Sequence, residues 1–381
     1  MKTIDISRMR LLSQGLVKND SVPNFESATH VVQYMQAVQG QDLPGALLSV
    51  AMRLSRPNAN YAKALRDVHE AFNQGELVRT WPQRGTLHFL PTEDLHWYLS
   101  LTAQRKIQAE EKRRLSRHDL LTTDVDRARN VVVNAIAQAP ERRLRRSEIV
   151  YELEKYDLIK GANNAYYYLY RFSVEGLIAF GPLYSPKEQY LVLTEDLPRI
   201  QSNGKANASR EDLLRHLIER FVISHGPVTV RDIAWWSALG LTEIRKTLAD
   251  LHDAGVIAPL MDVKGTVQNA VGECYWVAPD LQEIYSTQMA TTARSLLLLP
   301  GYDELMLGYT DRTHTTGIEH LTTIDPARNG IFKKTIVSGG RLIGLWTLQG
   351  AKKTFTPSFL EPVSENVQIR VSRLAERLPR E

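Results

Sequence analysis

Three stretches of the chain read alike: Gly75-Glu76-Leu77-Val78, Glu175-Gly176-Leu177-Ile178 and Ala254-Gly255-Val256-Ile257. Each follows an apolar-periodic segment, namely Ala64 to Val68, Tyr166 to Phe172 and Ile244 to Leu251. Glycine enters the left-handed backbone region without the penalty of a Cβ, so it closes a helix, and the apolar pair after it starts a strand. A hairpin-like segment follows each glycine. Helix, helix, glycine stop and hairpin is the plan of a winged helix-turn-helix unit. Three copies in one chain predict an α+β fold built to hold nucleic acid.

Working outward, the first unit is expected over 1–122. Ser27-Ala28-Thr29-His30 opens a helix, Pro44 sits where a missing N–H is tolerated, and Tyr61 to Phe72 forms the third helix. Its wing runs from Leu77 to Leu90 through Pro82-Gln83-Arg84-Gly85. The second unit covers 123–207 and ends in a Gly/Asn/Ser-rich stretch from Gln201, read as a linker. The third covers 208–290, with Thr229-Val230-Arg231-Asp232 capping its second helix and a wing pairing Val256 to Val263 with Cys274 to Val277. The remainder, 291–381, holds the apolar run Leu296 to Leu299 and a Gly339-Gly340 turn between two strand patterns, which predicts a β-rich, barrel-like domain with a final helix.

The 381 residues are 43% hydrophobic and 24% charged, an ordinary globular composition with room for several domains. A net charge of +4 is compatible with a polyanionic partner without demanding one. One cysteine, Cys274, excludes an internal disulfide framework and a cysteine-based zinc site. No apolar run near Met1 is long enough to span a bilayer, so a cytoplasmic protein without a membrane partner is expected. Phosphate-loop, dinucleotide, metallohydrolase and nucleophile-elbow patterns are missing, and neither cofactor nor metal is expected.

The candidate chemistry lies in the first unit. In an extended segment, Gln39 and Gln41 flank Gly40 and point the same way, and two amides that donate and accept can orient a water molecule. The competing reading makes the segment a capping turn, with Asp42 as N-cap of the next helix. In the wing, Arg84, Thr86 and His88 are candidates for contact with phosphate or base, against a plain hairpin with a solvated turn. Basic runs at Arg113-Arg114 and from Arg142 to Arg146, including Arg143 and Arg146, are either solvated helix faces or contacts to a nucleic-acid backbone. The Tyr166-Tyr167-Tyr168 and Trp235-Trp236 clusters read as core more than as stacking platforms.

Four stretches carry a family resemblance: Val38 to Asp42; Trp81 to His88; Leu298-Leu299-Pro300-Gly301-Tyr302-Asp303-Glu304; and Asn329 to Phe332 with the hairpin Gly340 to Trp346. On these the chain resembles the winged-helix DNA-binding family that contains the AlkZ-type and YcaQ-type DNA glycosylases. The resemblance implies three tandem winged helices and a C-terminal β-rich domain in a C shape around DNA. It implies a monomer acting on damaged or crosslinked double-stranded DNA. It assigns catalysis to a Gln-x-Gln or Gln-x-Asp motif, here Gln39 and Gln41, with Gly40 standing where the family has an aliphatic residue. The expected function is a monofunctional glycosylase for N7-alkylated or crosslinked purines; the alternative is a non-catalytic DNA-binding protein or transcription regulator.

Overall fold

The computed structural model describes residues 5–17, 24–54, 61–161, 164–198, 205–350 and 353–379. The fold mixes helix with antiparallel sheet and divides into two compact units. One is discontinuous, Met1–Val68 with Leu214–Glu381; the other, His69–Leu213, is a single stretch of chain.

All three glycine stops form as the residues dictate. Gly75, Gly176 and Gly255 take φ of 73°, 76° and 71°. At each, the glycine N–H bonds back to Phe72, Ser173 or His252, and the next N–H reaches one residue further, to Ala71, Phe172 or Leu251, at 2.9 Å every time. These are Schellman closures, which satisfy the last helical carbonyls and turn the chain into a strand. Two of the three share a further device. Thr92 and Thr194 each donate their hydroxyl to the carbonyl of Gly75 or Gly176 at 2.5 Å, tying the far end of the hairpin to the helix end.

In the continuous unit, the strands Leu77–Gln83 and Thr86–Pro91 form one hairpin and Ile178–Ser185 and Glu188–Leu193 another. The two hairpins join through Arg79 opposite Phe180, and Arg143–Arg145 adds to the far edge. Helices Leu95–His118, Thr122–Gln138, Arg146–Lys155 and Asn164–Val174 complete the unit. Trp81 packs against Tyr166, Tyr170 and Phe180 at centroid distances of 5.6–5.9 Å. Tyr167 and Tyr168 are buried, so the tyrosine cluster serves mainly as core.

In the discontinuous unit, the helix Ile6–Ser13 buries Met9, Leu11 and Leu12 against Leu281–Ala293. Its cluster of apolar side chains continues through Leu48, Leu260, Leu298, Ile336 and Val371. Helices Arg210–His225, Val230–Ser237 and Leu241–Asp253 precede the third glycine, the second of them capped by Thr229 and Asp232 acting reciprocally. The hairpin expected next is reduced to two-residue pairings, Ala258–Pro259 with Trp276–Val277 and Met261–Asp262 with Gly265–Thr266. Leu260 still donates its N–H to Tyr275 at 2.8 Å, but Tyr275 donates to Val267 rather than back to Leu260, and the ladder ends there.

The expected barrel-like closure does not form. Leu296–Leu299, Thr335–Ser338, Arg341–Gln349 and Thr354–Phe359 make an open four-stranded meander. Four strands are too few to close around a filled interior, and the helix Glu365–Ala375 packs on this sheet instead, burying Val371. The turn Gly339-Gly340, with φ of 54° and 82°, is a two-residue hairpin connection of the mirror-image type that matches strand twist.

Candidate active site

Gln39 ends the short strand Val38–Gln39, and Gln41 lies in the bend before helix Leu43–Leu54. The Gln39 amide oxygen accepts the Gln41 backbone N–H at 3.1 Å. The two side chains are therefore not equivalent: Gln39 is buried and Gln41 is exposed. Asp42 takes the N-cap position, its carbonyl accepting the first helical bond from Ala46. Its carboxylate lies over Gly45, where a Cβ would stand 2.6 Å from Oδ2. Burial raises the Tyr302 hydroxyl above its ordinary range, and the negative charges of Asp42 and Asp325 push the same way.

Two acids that sequence reading took only as a family marker support this segment. Glu304 is fully buried; Oε1 accepts the Gln39 backbone N–H at 2.8 Å, and Oε2 accepts the Trp236 indole N–H at 3.2 Å. His225 Nε2 faces Oε2 at 3.6 Å, and its ring stacks on Phe221 at 4.3 Å. Burial holds the His225 pKa below its ordinary value against the opposing pull of Glu304. Asp303 caps the turn Glu304–Leu307 by accepting the Leu305 N–H. It also receives Ser49 Oγ at 2.7 Å and a two-pronged approach from Arg53 at 2.9 and 3.2 Å. Arg53 and Ser49 belong to the helix that follows the glutamines, so both acids converge on the residues flanking that bend.

The continuous unit gathers Arg84, Thr86 and His88 into one hairpin tip. Arg84 and Gly85, at φ of 52° and 71°, form a two-residue turn between Gln83 and Thr86. His88 is buried. Nδ1 meets the Thr86 carbonyl at 2.9 Å, which can only accept, so Nδ1 carries a proton. Nε2 faces Gln83 Nε2 and Arg84 Nη2, both at 3.3 Å and both donors, so it accepts. This is the neutral Nδ1–H tautomer. Tyr98 donates its hydroxyl to the Gln83 amide oxygen, which fixes the amide and through it the imidazole.

The basic candidates are treated unequally. Arg143 pairs with Glu141 and lies 4.5 Å over the Tyr190 ring, whereas Arg146 is exposed at the start of its helix with no ion pair among the described residues. Both sit at the edge of the sheet away from the Arg84 hairpin. Arg113 and Arg114 fall in helix Leu95–His118, but their side chains lie outside the described residues. Among those residues no group of three or more histidines, cysteines or acids is placed to hold a metal. Among the described residues no helix is long and apolar enough to cross a membrane.

Comparison with known proteins now bears on this arrangement. A curated relative, an interstrand DNA cross-link repair glycosylase from Streptomyces sahachiroi, is 25% identical over 343 residues, covering 87% of this chain and 85% of its own length. The solved structure of the Streptomyces sahachiroi DNA glycosylase AlkZ superposes with a TM-score of 0.70 at 20% identity, over 99% of this chain and 96% of that one, which establishes a shared fold. The family described as DNA glycosylase AlkZ-like matches residues 32–380. That span takes in the glutamine bend, the Arg84 hairpin and the two buried acids, and the chain belongs to the AlkZ-like DNA glycosylase family.

Proposed function

We propose that this protein is a monofunctional DNA glycosylase that hydrolyses the N-glycosidic bond of N7-alkylated or crosslinked purines in double-stranded DNA. The supporting observation is the asymmetry of the glutamine pair: the buried Gln39 accepts the Gln41 backbone N–H with its amide oxygen, and Gln41 stands exposed beside Asp42. Alkylation at N7 makes guanine cationic, so its bond to C1′ is already weakened. The bond breaks with its electron pair going to the base, which leaves neutral. An oxocarbenium-like sugar remains, and water adds at C1′ and gives up a proton to solvent. The protein need only place that water and stabilise the positive charge, and an amide oxygen suits both tasks without acting as a base. Three winged-helix units, in which Gly75, Gly176 and Gly255 close the helix before each wing, are the proposed DNA-holding elements, with Arg84, Thr86, Arg143 and Arg146 as backbone contacts. A crosslinked base cannot swing out of the duplex, so the proposed reaction proceeds without base flipping.

The test is release of N7-alkylguanine from methylated and from crosslinked duplex by wild type, Gln39→Ala and Gln41→Ala. Release by wild type, lost most severely in Gln41→Ala, is expected. Duplex binding by wild type with no base release would overturn the reading and favour a non-catalytic DNA-binding protein.

A further inference from the structure

We infer that Glu304 is a positioning residue for the glutamine motif, holding Gln39 by its backbone; the inference rests on the glycosylase reading for its consequence, though not for its geometry. The Gln39 N–H is the anchored end of a short relay. Glu304 Oε1 accepts it at 2.8 Å, and the Gln39 amide oxygen in turn accepts the Gln41 N–H at 3.1 Å. Gln41 is thus placed by two successive hydrogen bonds that start on a fully buried carboxyl group. That group is itself held. Its other oxygen accepts from Trp236, and the neighbouring Asp303 is clamped by Arg53 and Ser49. Gly308 presses on the same corner: a Cβ there would stand 2.9 Å from both the Glu304 carbonyl and His225 Cδ2.

The two donors allow a test that packing alone would not pass. Glu304→Gln keeps the shape but offers a single acceptor oxygen to Gln39 and Trp236, and its amide N–H then opposes one of them. Trp236→Phe removes the competing donor, so Glu304→Gln with Trp236→Phe returns the oxygen to Gln39. Backbone hydrogen exchange of the segment 36–42, followed in the full chain, should quicken by about 10- to 100-fold in Glu304→Gln, the effect of losing a bond to a charged acceptor. It should slow again in the double variant. Single-turnover base release should fall by about 100-fold in Glu304→Gln, as small misplacements of a reacting group do, while duplex affinity stays unchanged, and should recover in the double variant. Exchange in Glu304→Gln equal to wild type, or a double variant no better than the single one, would overturn the inference. A wild type that releases no base would sink the glycosylase reading, while the exchange measurement would still decide whether Glu304 holds Gln39.

Discussion

Asp303→Asn would take from the Arg53 guanidinium the carboxylate it pairs with, at a position where both side chains have 0% exposure. Arg53 cannot turn to water. Its Nε is committed to the Gln14 carbonyl at 3.0 Å, and its two terminal nitrogens to Ser49, the Gln14 amide and both Asp303 oxygens. Removing one partner of a buried pair costs about 3–5 kcal/mol, because the remaining charge stays desolvated. For a unit of about 150–250 residues each kcal/mol moves Tm by roughly 2–4 °C, so a fall of about 6–20 °C is expected. Calorimetry of the full chain should show that fall. The companion variant, Arg53→Met with Asp303→Leu, should lose less than Asp303→Asn despite losing the Leu305 cap, which is worth about 1 kcal/mol. A drop under about 3 °C for Asp303→Asn, or additive losses in the double variant, would refute the reasoning that an uncompensated charge is what the fold cannot accept.

Three further outcomes follow from the same geometry. His225 and His314 both have pKa values held below the ordinary histidine range, chiefly by burial. The unfolded chain then binds more protons, so stability is complete above about pH 6.5 and falls as pH drops below it; pH-dependent thermal unfolding should show this, with a shallower slope in His225→Gln. Gly255→Ala should cost about 1–2 kcal/mol, the left-handed penalty alone, since nothing lies within 4 Å of the new Cβ. Gly75→Ala should cost more by denaturation, because its Cβ would stand 2.6 Å from Pro198 Cδ. Arg146→Ala should weaken duplex binding across sequences and lower the salt slope by about one phosphate's worth, while Arg143→Ala, already paired with Glu141, should change it less.

What was legible in the sequence was local. Gly75, Gly176 and Gly255 announce helix ends because φ is a property of the residue itself, and Thr229 with Asp232 announces a cap for the same reason. Non-local properties were not legible. Whether four strand patterns close or stay open depends on what covers them, and the third hairpin is shorter than apolar periodicity suggests because Tyr275 donates to Val267 instead of continuing the ladder with Leu260. In the candidate site, the residue types at 39 and 41 drew notice, but their difference in exposure did not show, because burial is set by segments far along the chain, such as Glu304, which accepts the Gln39 N–H. Asp303 and Glu304 follow an apolar strand and entered only as part of a stretch that carries the family resemblance. Asp303 does cap, yet both acids are buried, and their partners lie 250 and 265 residues away. The signal at this stretch was its family resemblance, which does not say what lies opposite these two side chains.

The discontinuous unit imposes a schedule on synthesis. His69–Leu213 is an unbroken stretch and has its internal contacts available as soon as it leaves the ribosome. The segment before it must wait: Gln14, Ser49 and Arg53 emerge early, and Asp303 follows Arg53 by 250 residues. At about 5–20 residues per second, that interval is roughly 12–50 seconds. Throughout it, a helix rich in apolar side chains, Leu43–Leu54, carries an arginine with no carboxylate to meet. The glutamine bend is likewise translated long before Glu304, so the hydrogen bond from the Gln39 N–H to its carboxylate forms only when the later segment arrives.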